Sequence, residues 1–219
     1  MDFSNQLSIF NPEKYENKSV CIVGVGSIGS FVGIVLSKMG IANLELYDGD
    51  TIEEHNIPNQ FYKLKQIKKR KTEALKEIIK EFSDIKNVEV FGKVDKKTIL
   101  ASDVVIVCTD SMKSRKLAYN QSKKLSNYLI DARMNGHTYR IYTVDLQDKN
   151  ERKEYEKTLY SDKESDKGLC TEKTVVYNVA EVASKIGNQI RKIMNDEDYS
   201  HMLAYDFKND YLIKKRWKK

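Results

Sequence analysis

The chain has 219 residues, 40% of them hydrophobic and 32% charged, with 13 Tyr and 7 Phe, so it holds enough apolar surface for one sizeable core and cannot be a disordered chain. Its net charge of +6 arises from basic residues largely interleaved with acids, with a tail from Lys214 to Lys219 that is basic apart from Trp217, which gives little support to a nucleic-acid-coating role. Three cysteines without paired spacing and the lack of any apolar run of spanning length speak against a disulfide framework and a membrane span, and a soluble protein of a reducing cytoplasm is the simplest expectation.

Ser19 to Val25 is short, β-branched and almost continuously apolar, the pattern of a strand buried on both faces of a parallel sheet. Ile28 to Met39 has helical spacing, and Leu44 to Tyr47 is a second apolar run closed by Asp48. The lysine-rich stretch Leu64 to Phe82 places Ala74, Leu75, Ile78, Ile79 and Phe82 on one face of an exposed helix. Further strands are predicted at Val88 to Phe91, Val104 to Cys108 and Leu129 to Ala132, with helices near Asp95 to Ala101 and Met112 to Leu125 between them. This alternation predicts an α/β fold, Rossmann-like and doubly wound, with a mainly parallel sheet. From Arg140 to Leu146 polar and apolar residues alternate, which predicts a solvent-edged antiparallel extension toward the C-terminus. Gln147 to Gly168 is dense in charge and lacks an apolar face, so a mobile crossover loop or weak helix is expected there. Val175 to Met194 returns to helical periodicity, and Leu203 to Ile213 reads as a pair of short strands around Asn209 and Asp210. One domain over residues 1–219 is expected, with 195–219 as a C-terminal extension.

Gly24, Gly26, Ser27 and Gly29 follow the first strand and open the first helix, where backbone N–H groups can hold a phosphate because no side chain blocks the approach. Asp48 ends the second strand 19 residues after Gly29, the place from which a carboxylate accepts ribose hydroxyls. Together they point to a nucleotide, against the plainer reading of a tight strand-to-helix turn. They do not separate NAD from ATP.

The residues after Asp48 do. The chain shows Asp48, Asp50, Glu53, Asn56 and Gln60, then Lys71 before an Ala-Leu-containing helix, then Cys108-Thr109-Asp110 with Arg115, and Arg133-Met134-Asn135-Gly136 after the fifth strand. In this order the chain resembles the ThiF/MoeB/HesA family, the adenylating enzymes related to ubiquitin-activating enzyme, from about Ser4 to Ile193. The resemblance implies that ATP and Mg are used to activate a carboxylate, with pyrophosphate leaving under the stabilisation of the metal and cationic side chains. It implies Asp110 as the magnesium ligand, Lys71 as a phosphate contact, Asp48 on the ribose, Asp50 beside it, and Asn56 and Gln60 shaping the phosphate pocket, with Arg115 and Arg133 as further cations. The plainer readings are a helix N-cap for Asp110, a surface lysine for Lys71, and arginines paired with surface carboxylates. The resemblance also implies a two-fold homodimer and, as substrate, the C-terminal carboxylate of a ubiquitin-like or sulfur-carrier protein.

Two positions depart from the family pattern. Asn59 and Asn5 stand where relatives carry arginines that approach the triphosphate, the second from a partner subunit. A catalytically silent nucleotide-binding scaffold is therefore one alternative, and adenylation of a small molecule, a peptide or a tRNA group is another. An NAD-linked oxidoreductase would leave Asn56, Gln60, Lys71 and Asp110 without a job. Relatives often close a zinc site with two C-x-x-C pairs, which three separated cysteines cannot build. Cys21 and Cys108 read as core residues, whereas Cys170 is either a nucleophile toward the activated partner or a cysteine kept for packing. His55, His137 and His201 form no metal set, and the tail with Trp217 reads as a frayed, solvated end.

Overall fold

In the computed structural model, which describes residues 1–160 and 175–217, eight strands form one sheet in the order β3-β2-β1-β4-β5-β6-β7-β8. The strands are β1 Ser19–Val23, β2 Asn43–Tyr47, β3 Asn87–Phe91, β4 Val104–Val107, β5 Tyr128–Asn135, β6 Thr138–Asp145, β7 Met202–Asp206 and β8 Tyr211–Lys215. β3, β2, β1, β4 and β5 pair in parallel, while β6, β7 and β8 add antiparallel. The helices are α1 Ser27–Met39, α2 Lys71–Phe82, α3 Met112–Ser122, α4 Lys149–Glu156 and α5 Val176–Met194.

The apolar run of β1 is continuous because both of its faces are covered. Val20 and Ile22 join one buried cluster with α1, α2 and α5, while Cys21 and Val23 join a second with residues of α3 and α4. The chain runs outward from β1 to β2 and β3, then returns to place β4 on the other side of β1. That reversal opens a crevice beyond the carboxyl ends of β1 and β4, where doubly wound sheets bind ligands.

The predicted helix at 95–101 does not form. Asp95 instead accepts the backbone N–H groups of Lys97 and Thr98 at 2.8 and 2.9 Å, and the Gln121 side-chain amide donates to the carbonyls of Lys96 and Thr98. Local side-chain bonds of this kind outcompete a short helix, and they leave Leu100 free to enter the core. The stretch expected as one helix over 64–82 is divided: a 3-10 turn at Leu64–Gln66 is followed by Lys68 at φ 73, and α2 starts only at Lys71.

Toward the C-terminus the structure decides further expectations. β5 runs on to Asn135, so Arg133 lies inside the strand and not in a turn after it. β6 is not solvent-edged: it sits between β5 and β7 with Tyr139, Ile141 and Val144 buried. Lys149–Glu156 is a helix capped by Asp148, anchored by the fully buried Tyr155 and by Glu151, which accepts the Asp145 N–H at 2.7 Å. Residues 161–168 of that expected loop, and Cys170, lie outside the described residues. The basic tail is ordered as β8 through Lys215, and the Trp217 ring stacks on His201 at 5.0 Å, so it is docked and not frayed up to that point. Among the described residues no helix is long and apolar enough to cross a membrane.

Candidate functional site: a nucleotide cavity at the strand ends

Gly24 leaves β1 at φ +88 and donates its N–H to the Tyr47 carbonyl at 2.8 Å, which ties the turn to the end of β2. A side chain is excluded at Gly29, where an added Cβ would lie 2.0 Å from the Gly24 carbonyl oxygen. The first turn of α1 therefore packs directly on the glycine turn. Gly26 is different: a Cβ there would meet nothing nearer than Gln60 Nε2 at 4.0 Å, so this backbone faces open space. That space is a cavity of about 410 Å³, lined by Gly24, Gly26, Ser27, Asp48, Asp50, Gln60, Lys71, Cys108, Thr109, Asp110 and Arg115 among others.

Each expected residue can be placed. Asp48 accepts the Val25 N–H on one carboxylate oxygen at 2.9 Å and the Asp50 N–H on the other at 2.8 Å. It locks the glycine turn to β2, and each oxygen keeps a further lone pair for a ligand hydroxyl. Tyr62 adds a second tie by donating to the Val25 carbonyl at 2.5 Å; burial raises its phenol pKa, so it stays a neutral donor.

Lys71 is the first residue of α2, the helix end where the macrodipole disfavours a cation, yet it is only 7% exposed. Its placement is enforced by backbone pairing of 50–52 with 68–71: the Lys71 N–H donates to the Asp50 carbonyl at 3.0 Å, and Ile52 exchanges bonds with Lys69 and Lys68. The Nζ donates to Asp50 at 3.1 Å, so the two come into the cavity as a pair. Asn56 does not line the cavity; it is buried and accepts the Glu53 N–H at 2.9 Å, closing the 3-10 turn Glu54–Asn56. Gln60 does line it, and its Oε1 is buried without a partner, as is Thr109 Oγ1.

The Cys108 N–H donates to the Val23 carbonyl at 2.8 Å, which carries Thr109 and Asp110 to the mouth of the same cavity. Asp110 is exposed and makes no hydrogen bond or ion pair among the described residues. The cap of α3 is the neighbouring Ser111, whose hydroxyl accepts the Ser114 N–H at 3.2 Å, so capping does not explain Asp110. Cys108 is free, and burial pushes its thiol up to about 12, which leaves it protonated and unreactive near neutrality.

Arg115 and Arg133 pair with a buried acid, not with surface carboxylates as their plainer reading expects. Both converge on Asp131 of β5, which has no exposed surface. Arg115 also donates to the carbonyls of Ala132 at 2.8 Å and of Thr109, so it reaches the cavity lining as a clamp on the loop that carries Asp110. Arg133 does not line the cavity. It donates to Asp131 at 2.7 Å and to Thr158 at 2.9 Å, and its guanidinium lies 4.5 Å over the Tyr142 ring. Tyr155 of α4 completes the set by donating to Asp131 at 3.0 Å. Burial alone would raise the Asp131 carboxyl; the guanidiniums of Arg115 and Arg133 more than offset this and hold it below the ordinary range.

The cavity also contains a cation that sequence reasoning missed. Lys93 follows β3 and lies against Gly49, so Lys71, Lys93 and Arg115 approach one space from three separate segments. Its only signal in the sequence is its position just past a parallel strand. Asn5 lies in the N-terminal segment, where Gln6 donates to the Met39 carbonyl at 2.9 Å, at the far end of α1 from the glycine turn. The described residues hold no group of three metal-ligating side chains.

The chain is similar to several known proteins in sequence and in fold. The chain is 33% identical over 129 residues to ubiquitin-like modifier-activating enzyme 5 of Dictyostelium discoideum, a match covering 51% of this chain and 34% of that protein. It is 29% identical over 133 residues to the adenylyltransferase and sulfurtransferase uba4 of Aspergillus niger, covering 58% of this chain and 28% of that one. The chain thus spans about a third of the length of these relatives. In fold it is similar to the crystal structure of PaaA, with a TM-score of 0.76 at 18% identity over 93% of this chain and 65% of PaaA. It is similar also to E. coli MccB with AMPCPP and MccA, with a TM-score of 0.72 at 17% identity over 97% of this chain and 66% of MccB. The ThiF family model matches residues 5–218, and with the glycine turn, Asp48, Lys71 and Asp110 gathered on one cavity, the chain belongs to the ThiF family.

Proposed function

We propose that the protein is an ATP- and Mg-dependent adenylyltransferase that activates the C-terminal carboxylate of a ubiquitin-like or sulfur-carrier protein and releases pyrophosphate. The observation that carries this reading is the convergence of Gly26, Asp48, Gln60, Lys71 and Asp110 on one cavity of about 410 Å³. The residues fit a nucleotide: Gly26 leaves its backbone open, and two buried polar atoms of the lining, Gln60 Oε1 and Thr109 Oγ1, lack partners among the described residues. The amino-terminal turn of α1 would hold a phosphate through backbone N–H groups at Gly26 and Ser27, and Asp48 would accept from the ribose. Asp110, which has no hydrogen bond or ion pair among the described residues, would hold magnesium together with nucleotide phosphates.

The metal, when bound, neutralises charge that develops on the leaving phosphates. Lys71 and Lys93 add cationic charge to the same space, Asp50 holds the Lys71 ammonium in place, and Arg115 fixes the loop that presents Asp110. Lys93 supplies cationic charge to a chain that carries Asn59 and Asn5 where relatives have arginine, which supports turnover over the silent-scaffold reading. Calorimetry with ATP and with NAD, each with and without magnesium, tests the assignment: ATP is expected to bind tighter, with magnesium strengthening it. Tighter binding of NAD would overturn the reading. Assembly as a two-fold homodimer belongs to the same proposal, with Asn5 distant from its own chain's glycine turn as its support. Sedimentation of a fully active 25.4 kDa monomer at micromolar concentration would discard it.

A further inference from the structure

A second concave surface lies at the opposite end of the sheet from the nucleotide cavity. β8 is the edge strand and runs antiparallel to β7, so its last residues sit with the amino ends of the parallel strands. Between it and the second half of α5 is a groove of about 460 Å³. One wall is Lys185, Asn188 and Lys192, at helical spacing on α5, and the other is Lys214, Lys215 and Arg216. Leu203 and Leu212 add apolar surface. No carboxylate of the described residues lines the groove.

Lys214 shares a sheet face with Leu203 and turns toward α5, whereas Lys215 turns to the opposite face, so the cations around the hollow are Lys185, Lys192, Lys214 and Arg216, which repel each other unless something compensates them. Local compensation is slight: Arg216 pairs with Asp198 at 3.0 Å and Lys192 donates to the Asp198 carbonyl at 3.0 Å. Lys215 feels the charge of Glu154, while Lys185 and Lys214 make no hydrogen bond or ion pair among the described residues. The basic wall is held in place, because the Trp217 N–H donates to His201 Nδ1 at 2.9 Å and its ring stacks on the imidazole.

We propose that this groove docks an acidic, extended peptide segment of a partner protein. The dimensions fit such a segment. Lys185 to Lys192 rise about 10 Å along the helix and Leu212 to Arg216 about 13 Å along the strand, a length that three or four extended residues fill. Leucine surface suits the carbon skeleton of a peptide, and the free edge of β8 offers backbone N–H and C=O groups to it. A single-stranded nucleic acid is disfavoured because no aromatic ring lines the groove for base stacking, the Trp217 ring being engaged by His201.

The test uses fluorescein-labelled hexaglutamate and anisotropy at low salt, with ATP binding as a check that the nucleotide cavity is intact. Wild type should bind it, and Lys185→Glu with Lys214→Glu should weaken binding by about tenfold or more. Neutral Lys185→Gln with Lys214→Gln should fall between, and a charge-matched control, Lys96→Glu with Lys124→Glu, should change it by less than about twofold. Failure of wild type to bind, equal losses in the groove and control variants, or tighter binding of a hexauridylate would each overturn the proposal. None of these readouts depends on turnover, so the outcome is separate from that of the adenylation reading.

Discussion

Replacing Asp110 by alanine is expected to lower pyrophosphate release by about 10²- to 10³-fold, the usual cost of losing one fixed stabiliser of charge at a reacting centre. The side chain is exposed at the cavity mouth, makes no hydrogen bond or ion pair among the described residues, and leaves capping of α3 to Ser111, so its removal should leave the thermal midpoint nearly unchanged. Calorimetry should show the magnesium-dependent part of ATP binding lost in Asp110→Ala while a magnesium-independent part remains. Turnover within a few-fold of wild type, or magnesium dependence undiminished, would remove Asp110 from the metal site.

The largest effect on stability is expected at Asp131. It is a fully buried carboxylate that compensates two guanidiniums and accepts the Tyr155 hydroxyl. Asp131→Asn leaves both cations in the interior without their counter-charge, a change that costs about 3–5 kcal/mol. For a chain of this size that corresponds to a fall of roughly 6–20 °C in thermal midpoint. The pH dependence follows from the direction of the carboxyl shift. Because the folded-state value is held below the ordinary one, the stabilisation is fully present above the ordinary carboxylate range and is lost as pH falls through the lower folded-state value. Denaturant titrations should therefore show a wild-type advantage that is constant from about pH 5 to 8 and closes below about pH 4. An advantage under about 1 kcal/mol at neutral pH would show that the network is dispensable.

The same network explains why two arginines selected on resemblance turned out to act differently from each other. Arg115 and Arg133 are indistinguishable in the sequence as cations following family motifs. Only the extension of β5 through Asn135, and the arrival of Tyr155 from α4, bring them to one buried acid. Asp131 itself gives no signal, because a lone Asp in an apolar run can equally end a strand.

What the sequence determined by itself is what local rules control. Continuous β-branched runs marked β1 and β4 because strands covered on both faces need apolar residues at every position, and the glycine turn was legible because a side chain at Gly29 would strike the Gly24 carbonyl. Asp48, Lys71 and Asp110 were readable through an ordered pattern of residues. The tertiary structure alone decided what depends on distant partners. Gln121 of α3 holds carbonyls of the turn at 96–98 where a helix was predicted, and the buried Tyr155 ring, with Glu151 held by Tyr199 and His201, made an ordered helix of a segment whose composition is almost wholly charged. Asn56 was claimed by its own 3-10 turn while Lys93 entered the cavity from a neighbouring strand end, since which side chains meet there is set by sheet order, and sheet order joins residues that no local spacing connects.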